Sequence, residues 1–266
     1  MESARRARPR AEEGETMLRF VGLTDVGRKR SDNEDRYHLS AEREYSILAD
    51  GMGGRLYGEV ASEMAVKGLA RHIEQDLPTS VSRLDRAEQS AMVINLLDEW
   101  IREVNSEVFQ KGQDDERYRE MGTTLVCLLG LDRQVILAHI GDSRCYRHGK
   151  SGMSLLTEDH SFVNSQLKQG VITEEEARES AQRNIITRAV GTAEKVKPEI
   201  RAYPATPGDR FLLCSDGLTD MIDDDGISEV LAKHDDLKTT VRTLVDMANE
   251  AGGRDNITVI LAEYEA

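Results

Sequence analysis

The sequence predicts an α+β domain in which antiparallel strands form the interior and helices pack outside them. Short apolar runs rich in Val, Ile, Leu and Tyr follow one another across short turns such as residues 131–134, and connections this short join antiparallel strands. The helical segments come in groups and do not alternate with single strands, which argues against a doubly wound parallel sheet.

Seven apolar runs have the length and composition of strands. They are residues 18–24, 45–49, 124–130, 135–140, 144–147, 210–214 and 257–264. Residues 58–75, 86–110 and 237–250 instead repeat their apolar residues at the helical spacing, so they are predicted as helices. Trp100 lies on the apolar face of the second helix and is predicted to be a core residue.

The polar segment after residue 155 and the chain's start carry weaker signals. Thr173 and Glu176 have the spacing of a helix capping box, whereas Asp225-Gly226 is interpreted as a turn. Residues 1–17 hold four arginines and little that can be buried, so they are predicted to be a disordered tail. Residues 18–266 contain no repeat or linker and are predicted to form one domain.

The composition limits the classes of partner. Lys and Arg total 35 and Asp and Glu total 49, a formal net charge of −14, which argues against nucleic acid as a partner. The acidic excess is compatible with binding Mg²⁺ or Mn²⁺. The three cysteines lie in apolar stretches without CxxC spacing, and no apolar run is long enough for a membrane span. We therefore expect a reduced, cytoplasmic protein.

Four aspartates stand at the ends of apolar runs. They are Asp50, Asp142, Asp216 and Asp255. Each alone is typical of a turn, but strand ends on one side of a sheet converge, and like charges held together favour a cation between them. Ligands that are all oxygen indicate Mg²⁺ or Mn²⁺ and argue against zinc. The pattern predicts a carboxylate cage for divalent metal.

The first turn, residues 24–35, contains Arg28, Lys29 and Arg30 shortly before Glu34 and Asp35. Two interpretations stay open: a surface patch of ion pairs that contributes little, or an arginine that binds an anionic substrate beside the metals. Acids that hold metal and an arginine that holds an oxyanion together suit phosphate hydrolysis.

Other phosphate chemistries lack their motifs. The sequence contains no complete P-loop, dinucleotide-binding, EF-hand or thiolate-phosphatase motif. No histidine pair has zinc-ligand spacing, so His139 and His160 are predicted to be structural.

An ordered set of motifs resembles the metal-dependent protein phosphatases of type 2C, particularly the compact bacterial serine/threonine phosphatases. The set extends from about residue 18 to 264. It includes Thr24-Asp25-Val26-Gly27, Asn33-Glu34-Asp35, Asp50-Gly51-Met52-Gly53-Gly54, Met121-Gly122-Thr123-Thr124, Gly141-Asp142-Ser143-Arg144, Asp159-His160-Ser161, Ile186-Thr187-Arg188-Ala189, Ser215-Asp216-Gly217 and Asp255-Asn256.

This resemblance implies a four-layer αββα sandwich and assigns roles to particular residues. It implies that four aspartates hold two Mn²⁺ or Mg²⁺ ions together with the Gly51 carbonyl, that Asp142 and Asp216 hold a third, and that residues 157–188 form a flap. The four aspartates are Asp35, Asp50, Asp216 and Asp255. Glu34 is expected to hold the attacking water, and Arg30 to bind the phosphate.

The function implied is a metal-dependent protein serine/threonine phosphatase that uses direct attack by a metal-bridging hydroxide. We expect it to be a cytoplasmic monomer that opposes Ser/Thr kinases on their phosphorylated substrates. Two alternatives are a phosphatase dedicated to one phosphorylated regulator, of the anti-sigma antagonist type, and an inactive phosphoprotein-binding module. Inactive modules usually lose metal-binding acids, and every one is present here.

Two positions depart from relatives. Met52 stands where many eukaryotic members have a histidine, and a thioether cannot donate a proton to the leaving group. Ser180-Ala181 replace the His-Pro that bacterial relatives often carry in the flap.

Overall fold

Two five-stranded antiparallel sheets pack face to face at the centre of the molecule. The computed structural model describes residues 17–53, 57–78, 81 and 84–265. Numbered along the chain, the strands are β1 (Met17–Asp25), β2 (Arg36–Ser40), β3 (Tyr45–Ala49), β4 (Gly51–Met52), β5 (Gly122–Thr123), β6 (Leu125–Leu131), β7 (Gln134–Ile140), β8 (Arg144–Gly149), β9 (Gly152–Leu155), β10 (Glu199–Pro204), β11 (Arg210–Cys214) and β12 (Ile257–Glu265). The sheet orders are β1-β12-β11-β8-β9 and β10-β7-β6-β3-β2, and β4 pairs with β5 separately.

Helices cover the outer face of each sheet. The helices are α1 (Gly58–Asp76), α2 (Arg86–Asp114), α3 (Phe162–Lys168), α4 (Glu174–Glu179), α5 (Asp216–Thr219), α6 (Asp224–Lys233) and α7 (Leu237–Glu250). The first two pack on the sheet that contains β3, β6 and β7, and the last three pack on the sheet that contains β8, β11 and β12. Of these helices, none is long and apolar enough to cross a membrane. The predicted four-layer sandwich is confirmed.

The central strands are apolar on both faces because each face is covered. In β11, Phe211 and Leu213 pack between the two sheets, whereas Leu212 and Cys214 pack against the helices. A strand buried on both sides reads as a continuous apolar run. For this reason the sequence alone predicts the central strands.

The longer strands that the sequence did not reveal are polar ones. Strands β2, β9 and β10 lie at sheet edges and are largely half-exposed or exposed, so they carry no continuous apolar run. The turn predicted at Asp225-Gly226 is wrong, since both residues lie in the first turn of α6. Asp223 caps this helix by accepting a hydrogen bond from the Gly226 N–H at 2.9 Å.

Other local predictions have clear outcomes. Trp100 is 4% exposed and stacks on His72, as expected of a core residue. The capping box of Thr173 and Glu176 is confirmed at the start of α4. The predicted tail lies outside the described residues except for Met17, which was assigned to the tail but begins β1.

Candidate active site

The strand registers bring the predicted acids to one edge of the sandwich. Arg36 of β2 lies opposite Ala49 of β3, so the residues just beyond them, Asp35 and Asp50, end up side by side. In the other sheet Cys214 lies opposite Val259. Asp216 therefore follows β11 at the edge where Asp255 leads into β12.

Asp35 is the most enclosed of these acids, with a relative exposure of 1%. Its Oδ2 accepts hydrogen bonds from the Ser215 hydroxyl at 2.9 Å and the Thr258 hydroxyl at 2.6 Å. Its Oδ1 is buried without a hydrogen-bond partner in the described structure. A buried carboxylate oxygen without a donor is costly unless a cation neutralises it. This oxygen fits the metal site that the sequence predicts.

Asp50 and Asp216 repel their acidic neighbours. Burial raises the pKa of Asp50 well above its ordinary value, and the charges of Asp35, Asp216, Asp142 and Asp255 raise it further. Burial also raises the pKa of Asp216, with Asp142 and Asp255 the strongest charged contributors. These five carboxylates disfavour each other's ionisation, and a divalent cation bound among them would relieve the repulsion.

Asp142 lies beside this group at the end of β7. Burial raises its pKa to about 7, with a further contribution from Asp159. The adjacent Ser143 hydroxyl shares a hydrogen bond of 2.7 Å with the Thr124 hydroxyl. Thr124 Oγ1 also accepts from the Asp50 N–H at 2.9 Å, so one threonine links the turns that carry Asp50 and Asp142.

Glu34 is held through its backbone next to the aspartates. Its N–H donates to Asn256 Oδ1 at 2.8 Å, and its carbonyl accepts from the Ser62 hydroxyl. Burial and the neighbouring Glu59 raise the pKa of its side chain. The carboxylate of Glu34 therefore stands at the cleft with an increased affinity for a proton.

Arg30 reaches the site from the first turn. Its Nη2 donates to Asp255 Oδ2 at 2.7 Å, while its side chain stays 49% exposed. An arginine in this position combines a fixed anchor with donors that still face solvent. The structure thus brings all eight predicted site residues together around one cleft: Arg30, Glu34, Asp35, Asp50, Gly51, Asp142, Asp216 and Asp255.

Comparison with known proteins identifies the family. The family model described as Protein phosphatase 2C matches residues 27–262. The chain belongs to the protein phosphatase 2C family. Protein phosphatase PhpP of Streptococcus pneumoniae is 43% identical over 246 residues, which cover 90% of this chain and 94% of that protein. Serine/threonine phosphatase stp of Listeria monocytogenes serotype 4b is 38% identical, covering 91% and 94% of the two chains.

Solved structures of phosphatases agree with this assignment. Serine/threonine phosphatase Stp1 of Staphylococcus aureus superposes with a TM-score of 0.85 at 35% identity, covering 98% of this chain and all of that one. The catalytic domain of the phosphatase PstP, solved with two manganese ions, gives a TM-score of 0.82 at 32% identity, covering 95% of this chain and all of that one. As a member of this family, the chain is a metal-dependent protein serine/threonine phosphatase.

Several residues that hold the acids in place were not among the predicted site residues. Ser215 and Thr258 position Asp35, Asn256 holds Glu34, and Thr124 holds Asp50. Ser215 and Asn256 stand next to Asp216 and Asp255 in the sequence, so adjacency was a signal for these two. Thr124 lies in the motif of residues 121–124, which contains no acid, and only the fold shows that it meets Asp50.

The segment of residues 157–188, predicted as a flap, contacts the turn that carries Asp142 and the residues that follow Asp216. Arg144 donates to both oxygens of Asp159, at 3.0 and 2.7 Å. The His160 N–H donates to the Gly141 carbonyl at 2.9 Å. On the far side, Arg183 lies 3.7 Å from Asp220, which follows α5. The first two of these contacts attach the start of this segment to the turn that carries Asp142.

His139 and His160 have structural contacts, as the sequence predicts. With Glu199 they lie close enough to be considered as metal ligands. However, the Nδ1 atom of His160 accepts from the Gly141 N–H at 3.0 Å, and Nε2 of His139 lies 3.0 Å from the Glu158 carbonyl. Arg188 stands 3.7 Å from Glu199 and already supplies positive charge to this group.

Proposed function

We propose that this phosphatase hydrolyses phosphoserine and phosphothreonine on protein segments that enter the cleft, with two Mn²⁺ or Mg²⁺ ions held by the clustered aspartates. The observation that carries the proposal is the buried Oδ1 of Asp35, which has no donor among the described residues and lies among mutually repelling acids. The proposed ligands are Asp35, Asp50, Asp216, Asp255 and the Gly51 carbonyl, with Asp142 and Asp216 for a third ion.

The donor set supports this choice of metal. Carboxylate and carbonyl oxygens suit Mg²⁺ and Mn²⁺. When bound, the cations would lower the pKa of a water molecule and neutralise charge on the phosphoryl oxygens. Every further contribution to the reaction comes from side chains of the chain itself.

Arg30 and Glu34 are proposed to act on the substrate and the water. Arg30, anchored on Asp255, would direct its remaining donors at the phosphoryl oxygens and stabilise their charge in the transition state. Glu34, with its raised pKa, would accept a hydrogen bond from the attacking water and orient it for in-line attack. No covalent enzyme intermediate is needed in this scheme.

The cysteines are unsuited to act as nucleophiles. Cys127, Cys145 and Cys214 are buried and unpaired. Burial raises the pKa of each thiol, so none would be a thiolate near neutral pH. This supports direct attack by water on the phosphate and argues against a mechanism with a phosphocysteine intermediate.

We also propose that the enzyme is a cytoplasmic monomer that opposes Ser/Thr kinases. The buried, unpaired thiols are those of a reducing compartment. Among the residues described, the exposed large hydrophobic side chains are Leu155, Val171 and Ile185, little apolar surface for an obligate dimer.

The direct test is hydrolysis of a phosphothreonine peptide by purified protein. We expect phosphate release with Mn²⁺ or Mg²⁺, and loss of turnover after chelation that returned metal restores. Binding of the peptide without any turnover at any metal concentration would instead favour the inactive module. Capture of a single phosphoprotein by an inactive variant would favour the dedicated-regulator alternative.

The Arg30→Lys variant is expected to have a kcat/KM about tenfold below that of the wild type, because lysine keeps the charge but loses the fork that holds Asp255 and phosphate together. Steady-state kinetics on p-nitrophenyl phosphate and a phosphothreonine peptide would measure this. Arg242→Lys, an exposed position on α7, is the matched control. Wild-type kinetics in Arg30→Lys would contradict the phosphate-binding role.

A further inference from the structure

Two loops beside Arg30 are locked together and carry exposed cations. The Arg28 N–H donates to the Gly253 carbonyl at 2.7 Å. Asn256 Nδ2 donates to the carbonyls of Val26 at 3.0 Å and Asp32 at 2.9 Å. Gly27 has φ of +80°, and a Cβ there would lie 2.1 Å from the Asp255 carbonyl. The first turn and the loop before β12 therefore form one rigid edge of the cleft.

Three cations on this edge have no acidic partner. Arg28, Lys29 and Arg254 are exposed, and in the described part of the chain their side chains make no hydrogen bond or ion pair. Arg30 differs, because it is anchored on Asp255. We call Arg28, Lys29 and Arg254 the basic lip.

Acids of the same two loops form no ion pair with the basic lip in the described part of the chain. Asp25 Oδ1 accepts from the Gly27 N–H at 2.9 Å and from Asn249 Nδ2 at 3.1 Å. Asp32 Oδ2 accepts from the Ser31 hydroxyl at 2.7 Å. In a protein of net charge −14, three exposed cations without an ion-pair partner among the described residues stand beside Arg30, so their positive charge is available to a ligand.

We infer that the basic lip is a specificity surface that binds Asp or Glu side chains flanking the phosphoresidue of the substrate. The inference rests on the proposed function and adds a substrate preference to it. Arg28 lies two residues from Arg30, and Arg254 is next to Asp255. An extended peptide advances roughly 3.3–3.6 Å per residue, so we expect the side chains that meet the basic lip to stand about two to four positions from the phosphoresidue.

The physical role of the basic lip is to offset repulsion. The overall negative charge disfavours the approach of an acidic segment at long range. Exposed charge pairs contribute modestly each and are screened by salt, but three acting on one segment favour acidic over neutral peptides. Complementary charge of this kind affects association and selectivity more than chemistry at the phosphate.

Two phosphothreonine peptides of equal length test the inference. One carries Glu and the other Gln at the second and third positions on each side of the phosphothreonine. For the wild type with Mn²⁺ in 50 mM salt, we expect kcat/KM to be about tenfold higher for the Glu peptide. Raising the salt to about 0.5 M should bring the ratio close to one. A ratio near one at low salt would overturn the inference.

The triple variant Arg28→Gln, Lys29→Gln and Arg254→Gln is expected to lose most of this preference. The matched control neutralises Lys233, Lys238 and Arg242, three exposed cations on α6 and α7, and should keep it. Persistence of the wild-type ratio in the lip variant would overturn the inference.

Two further outcomes separate the inference from the proposed function. If the lip variant hydrolyses neither peptide, the single variant Lys29→Gln replaces it. A Glu/Gln ratio of kcat/KM that is unchanged in Lys29→Gln, together with a wild-type ratio that does not depend on salt, would overturn the inference. Failure of the wild type on both peptides would instead contradict the proposed function, and the role of the lip with it.

Discussion

Replacing Asp216 by asparagine is expected to abolish phosphatase activity and, in the metal-free protein, to raise the melting temperature. Activity is lost because Asp216 is assigned to both the two-metal site and the third site, and asparagine is a weaker, neutral ligand. The melting temperature rises because burial among Asp142, Asp255, Asp220 and Asp35 disfavours the charge of Asp216, so at neutral pH folding must either bury that charge or take up a proton, and asparagine requires neither. Opposite effects on function and stability are characteristic of a strained active site.

The size of the stability effect follows from relief of a buried charge. About 1–2 kcal/mol would correspond to an increase of roughly 2–8 °C for a chain of this size. Thermal melts with a chelator would measure it. Added Mn²⁺ should then raise the melting temperature of the wild type more than that of the variant, since a ligand stabilises the native state in proportion to its affinity.

The same acids make the free energy of unfolding of the metal-free protein depend on pH. The pKa of Asp142 is raised to about 7 and that of Asp35 to about 6, both mainly by burial. Between about pH 4 and 7 the native state therefore binds more protons than the unfolded chain. The free energy of unfolding of the metal-free protein should fall as the pH rises through that interval, less steeply in Asp216→Asn.

Asp246→Asn is the control for this experiment. Asp246 is exposed on α7, so the variant removes one negative charge without touching the site. Both activity and melting temperature should match the wild type. Substantial turnover in Asp216→Asn would contradict the assigned metal ligands, and an unchanged melting temperature would contradict the repulsion between the acids.

Alanine at Gly51 is expected to lower kcat/KM at least about 100-fold without changing any charge. A Cβ at this position would lie 2.2 Å from the Gly58 carbonyl oxygen and 2.7 Å from the Glu34 carbonyl oxygen. Both neighbours are backbone, so either the start of α1 or the turn that carries Asp50 must move. A displacement of about 1 Å in a catalytic group is enough for an effect of this size.

Gly53→Ala, in the same turn, is the matched control. A Cβ at Gly53 meets its nearest atom, the Gly58 N, at 3.5 Å, which is an ordinary contact. We expect its kcat/KM to stay within about threefold of the wild type. Circular dichroism and a Mn²⁺ titration should show Gly51→Ala folded but weaker in metal binding. Equal kinetics in the two variants would argue against the tight approach of Glu34, Gly51 and Gly58.

Much of the fold was predictable because its central strands are buried on both faces. Runs such as those of β3, β7 and β11 contain few polar residues, and the amphipathic helices that cover them repeat at a helical spacing. The edge strands β2, β9 and β10 carry mixed sequences, because half of each is open to solvent. Their identity depends on pairing with a neighbour, and no local pattern encodes that.

Local features of the chain are enough to predict the type of chemistry: acids at strand ends, an arginine before them, and an ordered set of motifs that resembles one family. How those groups are held depends on contacts between distant parts of the fold. Asp35 depends on Thr258, which is 223 residues away along the chain, and Arg30 depends on Asp255. The basic lip likewise exists because two distant loops meet, and their three cations find no acidic partner in the described part of the chain. Local composition determines which groups are available, whereas strand register determines which of their atoms come within bonding distance.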